Sequence, residues 1–250
     1  MPKSVLITGA SSGIGRALAL EYAASGVTLG LIGRDKNRLE DAAELARAKG
    51  AAVSTGTLDV RDADAMSAFL LAFDDEAPVD CVIASAGVTS VTRKEAEAAD
   101  LLRAKEIFDV NVGGVMNTLA PLAPRMRRRR AGQIGILSSL AAFAPVPNAA
   151  AYSASKAALL SFSLALRALY RADGVSVSAI CPGFVDTPMT SLYAGRKPGL
   201  ITAEEAARRI RRGLERRKAI IAFPLSLYFG ARAQEWLPLA LRDRIMLAFR

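Results

Sequence analysis

The chain contains no histidine. That absence removes Ser-His-Asp and Cys-His catalysis, together with most zinc-site patterns. Any acid-base chemistry must then use Tyr, Lys, Asp, Glu or Ser. Cysteine is nearly absent too. Cys81 and Cys181 each sit in a short apolar run and read as buried core thiols rather than as a disulfide or a nucleophile. No apolar run approaches the roughly 18 residues needed to span a bilayer. Met1-Pro2-Lys3-Ser4 leads straight into strand-like Val5-Leu6-Ile7 rather than into a signal-peptide core, so a cytoplasmic location is expected. Internal repeats and low-complexity linkers are also lacking.

What is present fits one sizeable domain: 250 residues, 52% hydrophobic, can bury a full core without disulfides or metals. Apolar strand-like runs occur at Ser4 to Thr8, Val27 to Ile32, Ala52 to Thr57, Val79 to Ala84, Gln133 to Ser138, Val175 to Cys181 and Ala219 to Phe223. Between them, Ile14 to Ser25, Asp35 to Lys49, Asp62 to Phe73, Ala99 to Met126 and Ala150 to Ala172 carry helical periodicity. The strands lack alternating polar residues, as expected when both faces are covered. The pattern predicts an α/β fold, a Rossmann-type doubly wound parallel sheet of about seven strands with helices on both faces. Residues 1–222 would form the single domain and 223–250 a basic, apolar tail.

After the first strand comes Gly9-Ala10-Ser11-Ser12-Gly13-Ile14-Gly15, opening directly into a helix. Glycines allow a tight turn and close approach of backbone to a pyrophosphate, while the helix N-terminus offers free N–H groups to the anion. Its place between a first strand and a first helix gives this turn the context that dinucleotide binding demands. The end of the second strand then selects the cofactor. An acid there would hold the ribose hydroxyls of NAD, but Gly33 occupies that place and Arg34 follows, which points to NADP over NAD. Arg34 as a solvated charge is the competing reading, and Asp35 is read as the cap of the next helix.

Tyr152 and Lys156 are four residues apart and follow Ser139. On a helix, i and i+4 share a face, so the Lys156 ammonium is expected to favour ionisation of the Tyr152 phenol. Free tyrosine titrates near 10, and bringing it to about 7 takes roughly 4 kcal/mol of differential interaction. The set reads as a proton-transfer site.

With the glycine turn, Asn111, Ser139, Tyr152 and Lys156 in this order, the chain resembles the classical short-chain dehydrogenase/reductase family over about Lys3 to Met189. The resemblance implies that Tyr152 is general acid or base and that Ser139 holds and polarises the substrate oxygen. Lys156 would lower the tyrosine pKa and bond the nicotinamide ribose, and Asn111 would hold a water in a proton relay. It also implies cofactor contacts at Asp59 and Val60, at Ala86 and Gly87, and at Pro182, Gly183, Val185 and Thr187. Thr187 also reads as a helix cap. One departure is Ala84-Ser85 where the family has asparagines, which bears on how the local sheet is braced. The implied activity is NADP-dependent hydride transfer between the nicotinamide and a carbonyl or secondary alcohol, in a homodimer or homotetramer joined through Ala99 to Met126 and Ala150 to Ala172. A nucleotide sensor or scaffold without turnover is the alternative.

The substrate would be bordered by Ala141 to Asn148 and Met189 to Leu200, whose Phe143, Pro145, Val146, Leu192 and Tyr193 suggest a lipophilic carbonyl (steroid, fatty or lipid-linked), with core packing as the competing reading of the same residues. From Arg196 to Arg250 there are 13 Lys and Arg against 5 Asp and Glu, which carries most of the net charge of +9. Arginines interleaved with Trp236, Leu239 and Ile245 fit either packing on the body or a partner subunit, or peripheral contact with a membrane. The run Arg125 to Arg130 ends a long helix, where cations are favoured, and lacks aromatics to stack bases, which argues against nucleic acid.

Overall fold

The computed structural model describes residues 2–89, 103–193 and 195–247. Its strands are β1 (Ser4–Thr8), β2 (Thr28–Gly33), β3 (Ala52–Thr57), β4 (Cys81–Ala84), β5 (Gly132–Leu137), β6 (Val175–Pro182) and β7 (Ile220–Phe223). They form one sheet in the order β3-β2-β1-β4-β5-β6-β7, every pair parallel. The order reverses between β1 and β4, and such a switch point opens a crevice at the carboxyl ends of the strands.

Both faces are covered, which is why the strands read as unbroken apolar runs. On one face, α1 (Gly13–Tyr22), α2 (Lys36–Ala48) and α7 (Ala203–Glu215) bury Leu18, Tyr22, Leu39, Ile210 and Leu214 against Val5, Ile7, Leu29 and Leu31. On the other, α3 (Ala63–Glu76), α4 (Gly114–Arg129) and α5 (Ala150–Tyr170) bury Met66, Leu70, Leu119, Leu122 and Leu159 against Leu6, Val82, Ile134 and Val177. Helix starts follow side-chain chemistry: Asp35, Asp62 and Thr202 accept from the backbone N–H groups of Arg38, Ala65 and Glu205.

Two expectations change. The helix read as Ala99 to Met126 is interrupted by a π-helical turn at Asp109–Gly113 before α4 begins, and residues 99–102 lie outside the described set. There, a Cβ on Gly114 would lie 2.6 Å from Val60 Cγ2, so the glycine lets the helix approach the loop after β3. Second, the stretch 147–173, which contains α5, reaches a mean hydropathy of 1.2 and is long and apolar enough to cross a membrane. It is packed against β6 and α4's neighbouring π turn and buries Ser155, Lys156 and Ser163.

Three of the arginines ending α4 are committed to the fold. Arg129 and Arg125 pair with the buried Asp74 of α3 at 2.7 and 3.2 Å, and Arg127 pairs with Asp173 at 2.6 Å. Beyond β7, whose last residue is Phe223, the chain forms α8 (Leu225–Ala233) and α9 (Leu239–Leu247). Leu227, Tyr228 and Ala231 pack on Leu140, Phe143 and Cys181 at the β7 edge of the sheet. Both cysteines are free and buried, and burial pushes each thiol up to about 12.

Candidate active site

A cleft of about 320 Å³ opens where β1 and β4 diverge. Its floor is the glycine turn. Gly9 has φ +71°, and a Cβ there would lie 2.9 Å from the Ala86 backbone; Gly13 has φ +53° and faces the Thr187 methyl at 3.1 Å. A Cβ on Gly15 would overlap the Gly9 carbonyl oxygen. Ser12 caps α1 with its backbone alone, and no acidic side chain occupies the first turn. The first N–H groups of α1 therefore face the cleft with no side chain of their own covering them, which suits a phosphate.

Gly33 closes β2 with an imaginary Cβ 3.0 Å from Ser11 Cβ, so a side chain at this position would press on the turn. Arg34, Asp35 and Arg38 line the cleft beyond it, Asp35 both capping α2 and holding Arg38 at 2.7 Å. Arg38 was not singled out from the sequence; its position one helical turn past Arg34 is the signal that could have found it. Val60, with Leu58, lines the cleft, and Asp59 between them pairs with Arg61 at 2.7 Å and with the cleft-lining Arg34 at 3.9 Å. The bracing task at β4 falls to Thr8, whose hydroxyl oxygen accepts from Ser85 N at 3.1 Å and Ala86 N at 3.2 Å.

Ser139 follows β5, and Tyr152 and Lys156 stand on the first turns of α5, all three lining the cleft. Burial raises the Tyr152 pKa, and a hydrogen bond from the Ser139 hydroxyl partly offsets it. The expected lowering by Lys156 is not what the geometry gives. The Lys156 ammonium donates to the Leu137 carbonyl at 2.8 Å and lies 5.6 Å from the Tyr152 ring centroid. Burial lowers Lys156 itself to about 8. The spacing put the two residues on one face, but the β5 carbonyl captures the cation.

Asn111 sits in the π turn, fully buried. Its amide nitrogen donates to Val88 O at 3.1 Å and Ser155 Oγ at 2.9 Å, and its oxygen accepts from Val88 N at 2.8 Å. The side chain thus ties the loop after β4 to α5. Gly87 lies between it and Lys156, with a Cβ there only 3.1 Å from Asn111 Oδ1 and 3.4 Å from Lys156 Nζ. Pro182, Gly183, Val185 and Thr187 line the opposite wall, Thr187 also capping α6 (Pro188–Ser191) through Thr190 N.

A second cavity of about 230 Å³ adjoins the first. Ser139 and Tyr152 line both. Of the residues expected at its border, Val146 and Tyr193 line it, while Phe143 is buried edge-on against Tyr228 and Leu192 is exposed. The sequence did not show that Leu227, Ala231, Gln234 and Met246 of the tail complete this wall.

A sequence model of the family described as short chain dehydrogenase matches residues 3–196. The chain belongs to the short-chain dehydrogenase family. It is 38% identical over 242 residues, covering 96% of this chain and 95% of the relative, to an uncharacterized oxidoreductase of Myxococcus xanthus. Among solved structures, it is similar to a short-chain dehydrogenase from Sphingobium yanoikuyae in complex with NADPH, with a TM-score of 0.79, 27% identity and coverage of 99% and 96%. It is also similar to a short-chain dehydrogenase/reductase from Burkholderia phymatum in complex with NAD, with a TM-score of 0.81, 26% identity and coverage of 93% and 92%. The short-chain dehydrogenase fold, an oxidoreductase assignment and a nicotinamide cofactor follow together for this chain. The cleft's positive-φ glycines and uncovered helix N-terminus fit the pyrophosphate of such a cofactor.

Proposed function

We propose that this short-chain dehydrogenase uses NADP(H) to interconvert a lipophilic ketone and its secondary alcohol, with Tyr152 as general acid or base. The observation that carries the reading is that Ser139 and Tyr152 stand where the two cavities meet. When bound, the nicotinamide supplies or accepts the hydride. During reduction, the Tyr152 phenol gives its proton to the substrate oxygen. Burial keeps that phenol protonated, so it is ready as an acid. Ser139, beside Tyr152 and lining both cavities, is placed to turn its single O–H to the substrate oxygen and to stabilise its developing charge.

Lys156 has three N–H donors and spends one on the Leu137 carbonyl. The others serve the nicotinamide ribose and the path that returns a proton to Tyr152. Asn111 fixes this path by clamping Val88 and Ser155 around Lys156.

Arg34 and Arg38, lining the cleft just beyond Gly33, where the acid of an NAD site is absent, support NADPH over NADH. Leu140, Val146, Phe184, Met189 and Leu227 around the second cavity support an apolar substrate. The outward side of α5, with Leu164 and Leu169 exposed among alanines, suits a homodimer or homotetramer. The reading is tested by following NADPH and NADH oxidation with a panel of steroid, fatty and small ketones. Turnover with NADPH that is faster for the apolar ketones supports it; equal or better turnover with NADH and small polar ketones contradicts the specificity.

A further inference from the structure

The helix α8 and the 3₁₀ turn after it carry two apolar stripes. Leu227, Ala231 and Gln234, at i, i+4 and i+7, face inward and line the second cavity, with Met246 of α9 beside them. Leu225, Phe229 and Trp236, at i, i+4 and i+11, fall on the opposite side, while Arg232 reaches over the Phe143 ring at 5.6 Å and pairs with Glu235 at 3.7 Å. There Leu225 is 60% exposed, Phe229 63% and Trp236 89%, and Leu239 follows at 71%. Packing on the body accounts for the inner stripe; of the outer one, Phe229 meets the Tyr228 ring at 5.4 Å and still stays largely exposed. Exposed leucines scattered singly need no explanation, but four bulky apolar side chains within residues 225–239 do.

The charge around them has one dominant sign. Arg196, which lines the cavity, its neighbour Lys197, Arg242 and Arg244 stand against Asp243, while Arg232 and Glu235 pair with each other. An acidic or neutral protein partner would meet the apolar stripe equally well, but a tryptophan beside arginines suits the boundary between acyl chains and anionic headgroups in particular.

We propose that the outer stripe docks this protein on an anionic lipid surface, and that the second cavity takes its apolar carbonyl compound from that surface. The docking stands on the tail alone; the loading rests on the ketone-reductase reading.

Trp236 is the chain's single tryptophan, so its emission reports directly on the stripe. The full chain is titrated at low salt with vesicles of phosphatidylglycerol and phosphatidylcholine, and with phosphatidylcholine alone, and flotation is measured in parallel. A blue shift and flotation with anionic vesicles are expected, weakened about tenfold or more on neutral vesicles or at high salt. The double variant Phe229→Glu/Leu239→Glu keeps Trp236 and every cavity-lining residue. It should bind anionic vesicles about tenfold or more weakly, while turnover of a water-soluble ketone with NADPH stays within about twofold. Docking is overturned by an unshifted, wholly soluble protein, or by a blue shift that grows with protein concentration in the absence of vesicles, which would mean a second copy covers the stripe. Loading is overturned if wild type and double variant reduce a vesicle-dissolved ketone at equal rates. Absence of turnover with every ketone would instead strike the ketone-reductase reading, and vesicle binding would still decide the docking.

Discussion

The Lys156 ammonium donates to the Leu137 carbonyl at 2.8 Å, tying the reactive end of α5 to the end of β5. This bond explains how a buried cation stays fixed beside Tyr152 without contacting its hydroxyl. In the proposed mechanism it leaves two N–H donors of Lys156 for the cofactor ribose and for proton return, while burial raises the Tyr152 pKa.

Replacing Lys156 with methionine should lower kcat by about a hundredfold or more, the scale of a lost proton-transfer partner. Thermal stability at pH 7 should not fall. Lowering the lysine from 10.5 to about 8 means that burial of its charge costs about 3 kcal/mol below pH 8. Because the folded value is the lower one, the unfolded chain binds more protons between pH 8 and 10.5. Wild-type stability should gain from this group as pH rises through that window, and Lys156→Met should lack the gain. Thermal denaturation from pH 7 to 10.5 measures both.

Arg34→Ala and Arg38→Ala should each weaken NADPH binding about tenfold, the worth of a charge-assisted contact, and leave NADH within about twofold. Fluorescence titration of both cofactors checks this. Equal losses for the two would remove the phosphate contact from the account.

Much of this was legible in the residues. Continuous runs such as Val5-Leu6-Ile7 announce doubly covered strands, and Tyr152, Lys156 and Ser139 carry their own spacing. The direction of the Lys156 effect was hidden, because i,i+4 spacing reports proximity but not which acceptor wins, and the Leu137 carbonyl comes from another element. The tail's share of the second cavity was hidden for the same reason. Leu227 and Met246 meet Val146 only after the chain has built β7 at the sheet edge. Gly33 shows the absence of an acid, but only the fold shows how closely Ser11 of the glycine turn approaches that position.

Thr8→Val keeps the side-chain shape and removes the acceptor for the Ser85 and Ala86 N–H groups. Leaving these donors without their partner should cost about 1–3 kcal/mol and loosen the cleft at Gly87. Urea denaturation and NADPH affinity should both register it.

Asp74→Asn should destabilise the fold by about 3 kcal/mol, because it leaves Arg129 and Arg125 beside a neutral side chain. Burial on its own would raise the Asp74 pKa, but the bonds from Arg129, Val79 N and Arg125 outweigh it and hold the carboxyl below its usual value. The stabilisation is therefore present above the unfolded carboxylate range and is lost as pH falls through the lower folded value. Wild type and variant should converge in stability in acid, as followed by circular dichroism.

The central claim is that Tyr152 moves the proton. Its most direct test is Tyr152→Phe, assayed for NADPH-dependent ketone reduction alongside NADPH affinity. With the phenol gone, kcat should fall by about a hundredfold or more while the NADPH dissociation constant stays within about twofold. A kcat close to wild type would contradict it.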